Sequence, residues 1–269
     1  MTLADKFRVK PGEAVRLADH DPEYTAGLKS RREAKKQLEA NTDRLAELQY
    51  LLYAENKRAL LIVLQAMDAG GKDSTIQHVM SGVNPQGCRV TSFKVPTPEE
   101  LAHDFLWRVH KAVPRIGEIG IFNRSHYEDV LVVRVRSLVP HAVWSKRYDQ
   151  INAFERLLAR NGTVILKFFL HISKAEQKKR FLARIKDPTK NWKVNPGDFE
   201  ERAYWDDYMA AYETALSRCS SDPAPWFIIP ANRKWFRNLA VSQIIVEALE
   251  GLHMKFPQPS CDLSKLRIE

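Results

Sequence analysis

Short apolar runs alternate with longer amphipathic segments along most of the chain, and this pattern predicts strands that alternate with helices. The first run, residues 58–65, contains LLIVLQ without an interrupting charge, as is typical of a parallel strand that is buried on both faces. Four later segments also predict strands, at residues 89–95, 118–122, 163–170 and 226–230. The alternation favours an α/β fold of three layers, in which a parallel sheet lies between helices on both faces.

The amphipathic segments predict the helices of this fold. They lie at residues 24–56, 72–81, 98–113, 125–138, 142–160, 174–186, 198–216 and 235–252. In the first of them, Leu38, Leu45 and Leu52 recur every seventh residue and share one helix face. Residues 1–22 are polar and contain two prolines, which favours an extended arm. We therefore predict that an arm and a long helix, residues 1–56, pack on a main domain at residues 57–269.

The composition is that of a folded protein with an anionic partner. Of the 269 residues, 44% are hydrophobic, which is enough to bury a sizeable core and excludes wholesale disorder. Lys and Arg outnumber Asp and Glu by 42 to 33, which gives a net charge of +9. A surplus of this size favours nucleic acid, acidic lipid or a phosphate-rich small molecule as the partner. Composition alone does not choose among them.

Neither the apolar runs nor the cysteines indicate a membrane or secreted protein. The longest apolar runs are strand-sized and fall short of the ~20 residues that a membrane helix needs. The first residues, MTLADKFRVKPGE, lack the apolar run of a secretory signal. Cys88, Cys219 and Cys261 form no CxxC pair, which favours reduced cysteines. We therefore expect a cytoplasmic protein without a membrane segment.

The loop after the first strand carries a degenerate phosphate-binding motif. It reads QAMDAGGKDST, with Gly70, Gly71 and Lys72 at the start of the next helix. Glycines let a phosphate approach the backbone, N–H groups at a helix N-terminus attract anions, and the lysine adds a full charge. This order is that of a Walker A loop, so Ala69 and Asp73 are also candidates for phosphate contacts. A glycine turn beside a surface lysine is the alternative.

Two departures from the Walker A pattern bear on a metal. Ala66 replaces the first glycine, and Asp73 stands where the pattern has the hydroxyl that binds Mg²⁺. Asp68, inside the loop, would repel phosphates unless a cation came between them. Because Mg²⁺ takes one or two carboxylates together with phosphate oxygens, Asp68 is predicted to be a Mg²⁺ ligand.

A second polar cluster follows the third strand, in the sequence IGIFNRSHYED. Ligands of open α/β sheets bind at the carboxyl edge, where such a cluster lies. Arg124 can bind a phosphate through its planar guanidinium, and Glu128 and Asp129 can hold a metal or position a nucleotide. The alternative for both acids is stabilisation of their own helix N-terminus. For His126, a hydrogen-bonding spacer is favoured over a catalytic role.

Residues 174–193 are strongly basic, with eight Lys or Arg and two acids. A solvated helix face is the ordinary explanation of such a run. The run also lies where P-loop kinases carry a mobile lid, which closes over phosphates and neutralises their charge. We therefore predict a helical lid at about residues 174–205.

These motifs resemble the polyphosphate kinase 2 family, and most closely its class III members, which act on AMP and ADP. The resemblance covers nearly the whole chain and is carried by the segments YLLYAE, QAMDAGGK, GVNPQG, SFKVP, FLWRVH, FNRSHYEDVLVVR, KFFLHIS and PWFIIPANRKW. It implies a P-loop kinase fold like that of thymidylate kinase. It further implies inorganic polyphosphate as phosphoryl donor, a nucleotide as acceptor, Mg²⁺ as cofactor, and a homo-oligomer (dimer or tetramer).

The resemblance also implies roles for individual residues. Asp68 and Lys72 would be Walker A residues, and Asn123 and Arg124 a Walker B-like pair, with Asn123 in the place where many relatives have Asp. Glu128 is the candidate for favouring a nucleoside monophosphate as acceptor. The implied lid residues are Arg180, Arg184, Lys190 and Lys193.

We therefore predict reversible transfer of a phosphoryl group from polyphosphate to AMP and ADP, with the preference between adenine and guanine open. The predicted catalytic residues are Asp68, Lys72, Arg124, Arg180 and Arg184. Phosphate or nucleotide binding is predicted for Ala69, Gly70, Gly71, Lys72, Asp73, Asn123, Arg124, Glu128, Lys190 and Lys193, and metal binding for Asp68 and Asp129. The second hypothesis is an ATP-dependent nucleoside monophosphate kinase. A basic nucleic-acid-binding module is disfavoured, because the chain lacks a recognisable signature of such a fold.

Overall fold

Five parallel strands form one sheet in the computed structural model, which describes residues 2–267. The strands are β1 Ala59–Gln65, β2 Cys88–Ser92, β3 Ile119–Asn123, β4 Thr163–His171 and β5 Trp226–Pro230. Their order in the sheet is β2-β3-β1-β4-β5. All five predicted strands are confirmed, with bounds that shift by a few residues.

The central strand β1 places the first polar loop. All seven of its residues are buried, as expected for a strand with neighbours on both sides and helices on both faces. It pairs with β3 on one side and β4 on the other, so that Leu64 lies beside Asn123 and Gln65 beside Phe169. Because the strand order reverses direction at β1, a crevice forms at its carboxyl end.

The helices cover the sheet in two groups. The α-helices are α1 Leu3–Phe7, α2 Arg31–Glu55, α3 Lys72–Val79, α4 Pro98–Leu101, α5 Trp107–His110, α6 Val132–Val135, α7 His141–Arg160, α8 Lys174–Lys186, α9 Pro196–Glu201, α10 Trp205–Cys219 and α11 Lys234–Glu250. The helices α2 and α3 pack against α11, while α10 packs against α7. The predicted three-layer α/β fold is therefore confirmed.

Three predicted helices are interrupted. Residues 98–113 form two short helices, because the Asp104 carboxylate accepts a hydrogen bond from the Leu106 N–H (2.9 Å) and starts a new turn. Residues 125–138 form a 3-10 turn, His126–Val130, followed by α6. A second 3-10 turn, Arg202–Tyr204, separates α9 from α10.

The N-terminal arm packs on the main domain through apolar side chains. Phe7, Val9 and Leu17 are buried, and the Val9 N–H donates to the carbonyl of Trp226, the first residue of β5 (2.9 Å). The arm is thus less extended than predicted, because its apolar residues form short helical turns against the core. The long helix α2 begins at Arg31 rather than near residue 24, and the predicted boundary near residue 56 falls between α2 and β1.

Within residues 2–267, no helix is both long enough and apolar enough to span a bilayer.

Candidate phosphate-binding site

The loop between β1 and α3 is a tight turn that only a glycine-containing sequence can form. Ala69 and Gly71 both have positive φ angles, 60° and 105°, and the Gly70 N–H donates to the Met67 carbonyl (2.9 Å). A Cβ at Gly71 would lie 1.8 Å from Nη1 of Arg237. The turn directs the N-terminus of α3 at the carboxyl edge of the sheet, where its free N–H groups attract anions.

Lys72 is the first residue of α3, and its ammonium group folds back over the loop. Its Nζ donates to the Ala66 carbonyl (2.9 Å). Burial and the nearby Arg124 charge lower the pKa of Lys72, while the carboxylates of Asp68 and Glu128 act in the opposite direction. A desolvated cation in this position gains strongly from an incoming phosphate, because its attraction is less screened than in water.

Two buried arginines hold the loop from below. Arg180 of α8 donates to the carbonyls of Ala69 (3.0 Å) and Gly70 (2.9 Å). Arg237 of α11 donates to the same Gly70 carbonyl (3.3 Å). Since the carbonyl and the next N–H point in opposite directions across a trans peptide, the Gly71 N–H points away from the arginines. Burial, and then the Arg180 charge, lower the pKa of Arg237 to about 9.

The place of Arg180 differs from the lid position that the sequence predicted. Its side chain is 7% exposed, and it also donates to the carbonyls of Ala231 (2.5 Å) and Asn232 (3.1 Å) and to Glu176 (2.8 Å). In this structure its donors are therefore occupied by the protein itself, and the side chain supports the phosphate loop instead of facing the cleft.

The turn after β3 brings a second group of charges to the loop. Arg124 has a left-handed backbone, φ 62°, which is strained for a residue other than glycine. Its Nη2 lies 2.9 Å from the Asp68 carboxylate, and its Nη1 lies 3.8 Å from Glu128. Burial lowers the pKa of Arg124, but Glu128 and Asp68 raise it by more, so the pKa ends above its usual value.

Neighbouring amides complete this group. The Asn123 side-chain amide donates to Asp73 of α3 (2.7 Å), which joins the two loops. The Gln65 amide, at the end of β1, donates to Glu128 (3.1 Å). The structure thus brings together Asp68, Lys72, Asp73, Asn123, Arg124 and Glu128, as the sequence predicted.

Asp129 points elsewhere. Its carboxylate accepts from Nη1 of Arg147 on α7 at 2.7 Å. Burial raises the pKa of Asp129 to about 6, and the nearby Arg147 charge offsets this only in part. In this structure Asp129 is therefore paired with α7 and not with the phosphate loop.

Beside Arg180, the lid segment from α8 to α9 brings three further charged side chains near the site. Lys193 lies 4.0 Å from Asp73. Asp198 lies close enough to Asp68 that, after burial, the Asp68 charge raises its pKa, while Arg184 lowers it. Lys190 instead forms an ion pair with Asp187. The lid thus contributes Arg184, Lys193 and Asp198 in this conformation.

Sequence reasoning did not single out several of these residues. Gln177 of α8 donates to the Asp68 carbonyl (2.9 Å), and nothing in the local pattern of α8 marks it. Arg237 did leave a signal, since it is the one charge in the mostly apolar stretch RNLAVSQIIV, and a buried charge must find partners. Asp198 follows the turn Asn195-Pro196-Gly197 and looks like an ordinary helix-capping acid.

Comparison with known proteins identifies the family. Residues 28–257 match the family model described as polyphosphate kinase 2. The chain belongs to the polyphosphate kinase 2 family. As a polyphosphate kinase 2, it is a polyphosphate-dependent nucleotide phosphotransferase, which confirms the resemblance and the enzyme class that the sequence predicted.

Relatives within the polyphosphate kinase 2 family match over nearly the full chain. An AMP/ADP-polyphosphate phosphotransferase of Meiothermus ruber is 56% identical over 98% of this chain and 99% of its own length. An ADP-polyphosphate phosphotransferase of Rhodopseudomonas palustris is 50% identical over 94% of this chain and 92% of its own. The crystal structure of polyphosphate kinase 2 from Arthrobacter aurescens TC1 superposes with a TM-score of 0.95 at 46% identity, covering 98% of this chain and 94% of that one.

Proposed function

We propose that this polyphosphate kinase 2 transfers the terminal phosphoryl group of inorganic polyphosphate to both AMP and ADP, in a reversible reaction. The observation that carries the proposal is the meeting of two loops at the carboxyl edge of the sheet, where Lys72, Asp68 and Arg124 form one electrostatically coupled group. The name of the Meiothermus ruber relative includes both acceptors, which supports this choice. The name of the Rhodopseudomonas palustris relative includes ADP alone.

Phosphoryl transfer needs little covalent chemistry from the protein, because alignment and charge stabilisation lower most of the barrier. In this proposal, the backbone from Ala69 to Asp73 and the Lys72 ammonium group hold the acceptor phosphate. Arg124 holds the two reacting phosphates in line. The attacking oxygen belongs to an anionic phosphate, so no strong general base is required.

The donor set of the site fits Mg²⁺. Asp68 offers a carboxylate that is 23% exposed, and its charge helps to raise the pKa of Asp198 on the lid. Among residues 2–267, no three His, Cys, Asp or Glu side chains are grouped to hold a metal, and Mg²⁺ requires only one or two carboxylates beside water and phosphate oxygens. We therefore assign Asp68 as the Mg²⁺ ligand, with Asp129 the weaker candidate because of its pairing with Arg147. When bound, the ion would neutralise charge on the phosphate oxygens.

The lid supplies the remaining positive charge in this proposal. Arg184, Lys190 and Lys193 would neutralise the transferring group when the lid closes, while Arg180 would act from below by fixing the loop carbonyls. Glu128 would favour a nucleoside monophosphate. Its carboxylate repels the additional phosphate of a larger nucleotide, and the amide of Gln65 holds it in place.

A donor–acceptor matrix tests the proposal. Polyphosphate or ATP is supplied as sole donor to AMP, ADP, GMP or GDP, with and without Mg²⁺, and products are separated by ion-exchange chromatography. We expect Mg²⁺-dependent turnover of AMP and ADP with polyphosphate. Turnover of AMP with ATP alone would instead support the second hypothesis, an ATP-dependent nucleoside monophosphate kinase.

Two substitutions test the assigned residues. Lys72→Ala and Asp68→Ala are each expected to lower kcat for AMP phosphorylation by at least about 100-fold, a loss typical of removing one electrostatic contact to the reacting group. The exposed residues Lys57 and Asp43, which lie outside both loops, give matched controls as Lys57→Ala and Asp43→Ala. Near-normal turnover in a folded Lys72→Ala or Asp68→Ala protein would contradict the assignment.

We also propose that the protein is a homo-oligomer with a cytoplasmic location. A homo-oligomer is expected from the family resemblance, and light scattering of the purified chain would measure its mass. Cys88, Cys219 and Cys261 are free thiols, which is consistent with a cytoplasmic location.

A further inference from the structure

A fully buried cluster of polar side chains lies behind the turn that carries Arg124. Lys167 of β4 donates to Glu155 of α7 (2.5 Å) and to the Tyr127 hydroxyl (2.8 Å). The same hydroxyl donates to Glu155 (2.9 Å), and Nε2 of His126 lies 3.1 Å from that carboxylate. All four residues are 1% exposed or less.

The turn faces two ways. Arg124 and Glu128 direct their side chains toward the phosphate-binding edge, where Arg124 contacts Asp68 of the loop and Glu128 contacts Gln65 at the end of β1. His126 and Tyr127, which lie between them in the chain, direct theirs into the buried cluster. The turn is thus fixed on one side to β4 and α7, and it presents charge on the other.

The backbone of the turn needs such an anchor. Arg124 holds a left-handed φ of 62°, and a strained conformation of this kind persists only where the surroundings determine it. Aromatic rings surround the cluster with apolar groups. The Tyr127 and Trp226 ring centroids are 4.7 Å apart, and those of His126 and Phe154 are 5.7 Å apart. The hydrogen bonds therefore act in a medium of low dielectric, where their direction is strongly enforced.

Stability alone does not account for this cluster. A buried ion pair is often no more stabilising than apolar residues of similar volume, although it fixes geometry through directional bonds. Burial raises the pKa of Glu155, but Lys167 and His126 lower it by more, so the pKa falls and the carboxylate stays ionised at neutral pH. The cluster is thus a charged brace inside an apolar core.

We propose that Lys167 and Glu155, through Tyr127 and His126, position the turn so that Arg124 meets the phosphates in the reactive arrangement. The four are positioning residues, since the hydrogen bonds of the cluster join their side chains to one another and not to the phosphate loop. The proposal rests on the function proposed above for Arg124. A small displacement of such a group costs a large factor in rate.

Tyr127→Phe tests the brace, with Tyr148→Phe as its matched control. Tyr148 is also a fully buried tyrosine, and its hydroxyl accepts from Arg134 (3.1 Å) away from the turn. We expect Tyr127→Phe to lower kcat for polyphosphate-dependent AMP phosphorylation about 10-fold, and Tyr148→Phe to change it less than twofold, at similar melting temperatures. Equal losses of kcat in the two variants would overturn the proposal.

A double-mutant cycle with Arg124→Ala separates positioning from a general structural effect. If the brace acts through Arg124, Tyr127→Phe lowers the residual kcat of Arg124→Ala by less than twofold. The same fold-loss in both backgrounds contradicts the proposal. A fully active Arg124→Ala protein would also overturn the positioning proposal, because it would refute the role assigned to Arg124. The donor–acceptor matrix tests the overall reaction separately, so a failure of the positioning proposal can be told apart from a failure of the proposed function.

A second variant covers the case in which Tyr127→Phe does not fold. Lys167→Met combined with Glu155→Leu removes both buried charges at once, which avoids an unpaired charge in the core. We expect the folded double variant to lose about 10-fold in kcat, as Tyr127→Phe does. Added to Arg124→Ala, the same two substitutions should lower the residual kcat by less than twofold. Wild-type kcat in the double variant would overturn the proposal.

Discussion

Single residues at this site are held in conformations that local preference disfavours. Arg124 and Ala69 both have left-handed backbones, φ 62° and 60°, in the two loops that meet at the sheet edge. The surrounding contacts compensate for that strain: the Arg124 N–H donates to the Leu64 carbonyl (3.2 Å), and its guanidinium pairs with Asp68. The strain and the charge at residue 124 can therefore be separated by substitution.

Comparing Arg124→Gly with Arg124→Ala separates the effect of the side-chain charge from that of the backbone strain. Both remove the guanidinium, so both are expected to lower kcat by at least about 100-fold. Glycine relieves the left-handed strain, whereas alanine keeps it, so the free energy of unfolding should be about 1 kcal/mol higher for Arg124→Gly. Urea unfolding measures the difference. An alanine variant as stable as the glycine variant would show that this backbone is not strained.

At the scale of elements, the loop between β1 and α3 is clamped between a sheet edge and two helices. α8 contributes Arg180 and α11 contributes Arg237, and both donate to the Gly70 carbonyl. The two arginines repel each other, and beyond burial this repulsion lowers the pKa of Arg237. An anion above the loop relieves that repulsion, so the clamp favours phosphate over an empty site.

Gly71→Ala tests the clamp. A Cβ there would lie 1.8 Å from Arg237 Nη1 on a backbone with φ 105°, so the guanidinium must move off the loop. We expect a loss of about 1–3 kcal/mol in the free energy of unfolding, as for other overpacked sites. We also expect kcat to fall by at least about 100-fold. Gly251→Ala, whose Cβ would meet only backbone oxygens at 3.4 Å and 3.5 Å, is the control and should change stability by less than about 0.5 kcal/mol. Wild-type activity in Gly71→Ala would refute the clamp.

At the scale of the whole molecule, the N-terminal arm covers the carboxyl end of β4. His171, the last residue of β4, is 8% exposed and lies beside His20 of the arm. Burial, and then the His20 charge, lower the pKa of His171 to about 4. The unfolded chain has a histidine pKa of about 6.5. Between about pH 4 and pH 6.5, the unfolded state therefore binds a proton at this histidine that the folded state does not.

Acid should therefore weaken the fold through His171. Its contribution to stability is fully present above about pH 6.5 and is lost as the pH falls toward 4; by pH 5 the loss amounts to about 2 kcal/mol. We expect the drop in unfolding free energy between pH 7.5 and pH 5 to be smaller by about that amount in His171→Gln. His141→Gln, at an exposed histidine, should keep the full drop. Identical pH slopes in His171→Gln and the parent chain would contradict this prediction.

The sequence predicted the fold well, because its signals are local. Mostly apolar segments marked β1, β3, β4 and β5, and parallel topology then required the residues after β1 and β3 to meet at one edge. Asp68, Lys72 and Arg124 could be assigned to one site on that ground, whereas Asn123 was assigned through the family resemblance. The predicted helix at residues 125–138 was wrong in form, because side-chain anchors such as His126 and Tyr127 impose a 3-10 turn that periodicity does not encode.

The sequence by itself thus determined the order of elements and the two loops that meet, since hydrophobic period and strand order follow from local pattern and chain topology. Only the tertiary structure decided where the long charged side chains end. Arg180 lies beneath a loop more than a hundred residues away in the chain, and Lys167 sits in the core against Glu155. A long side chain on a helix or strand can reach many places, and the partners that fix it come together only when the chain has folded.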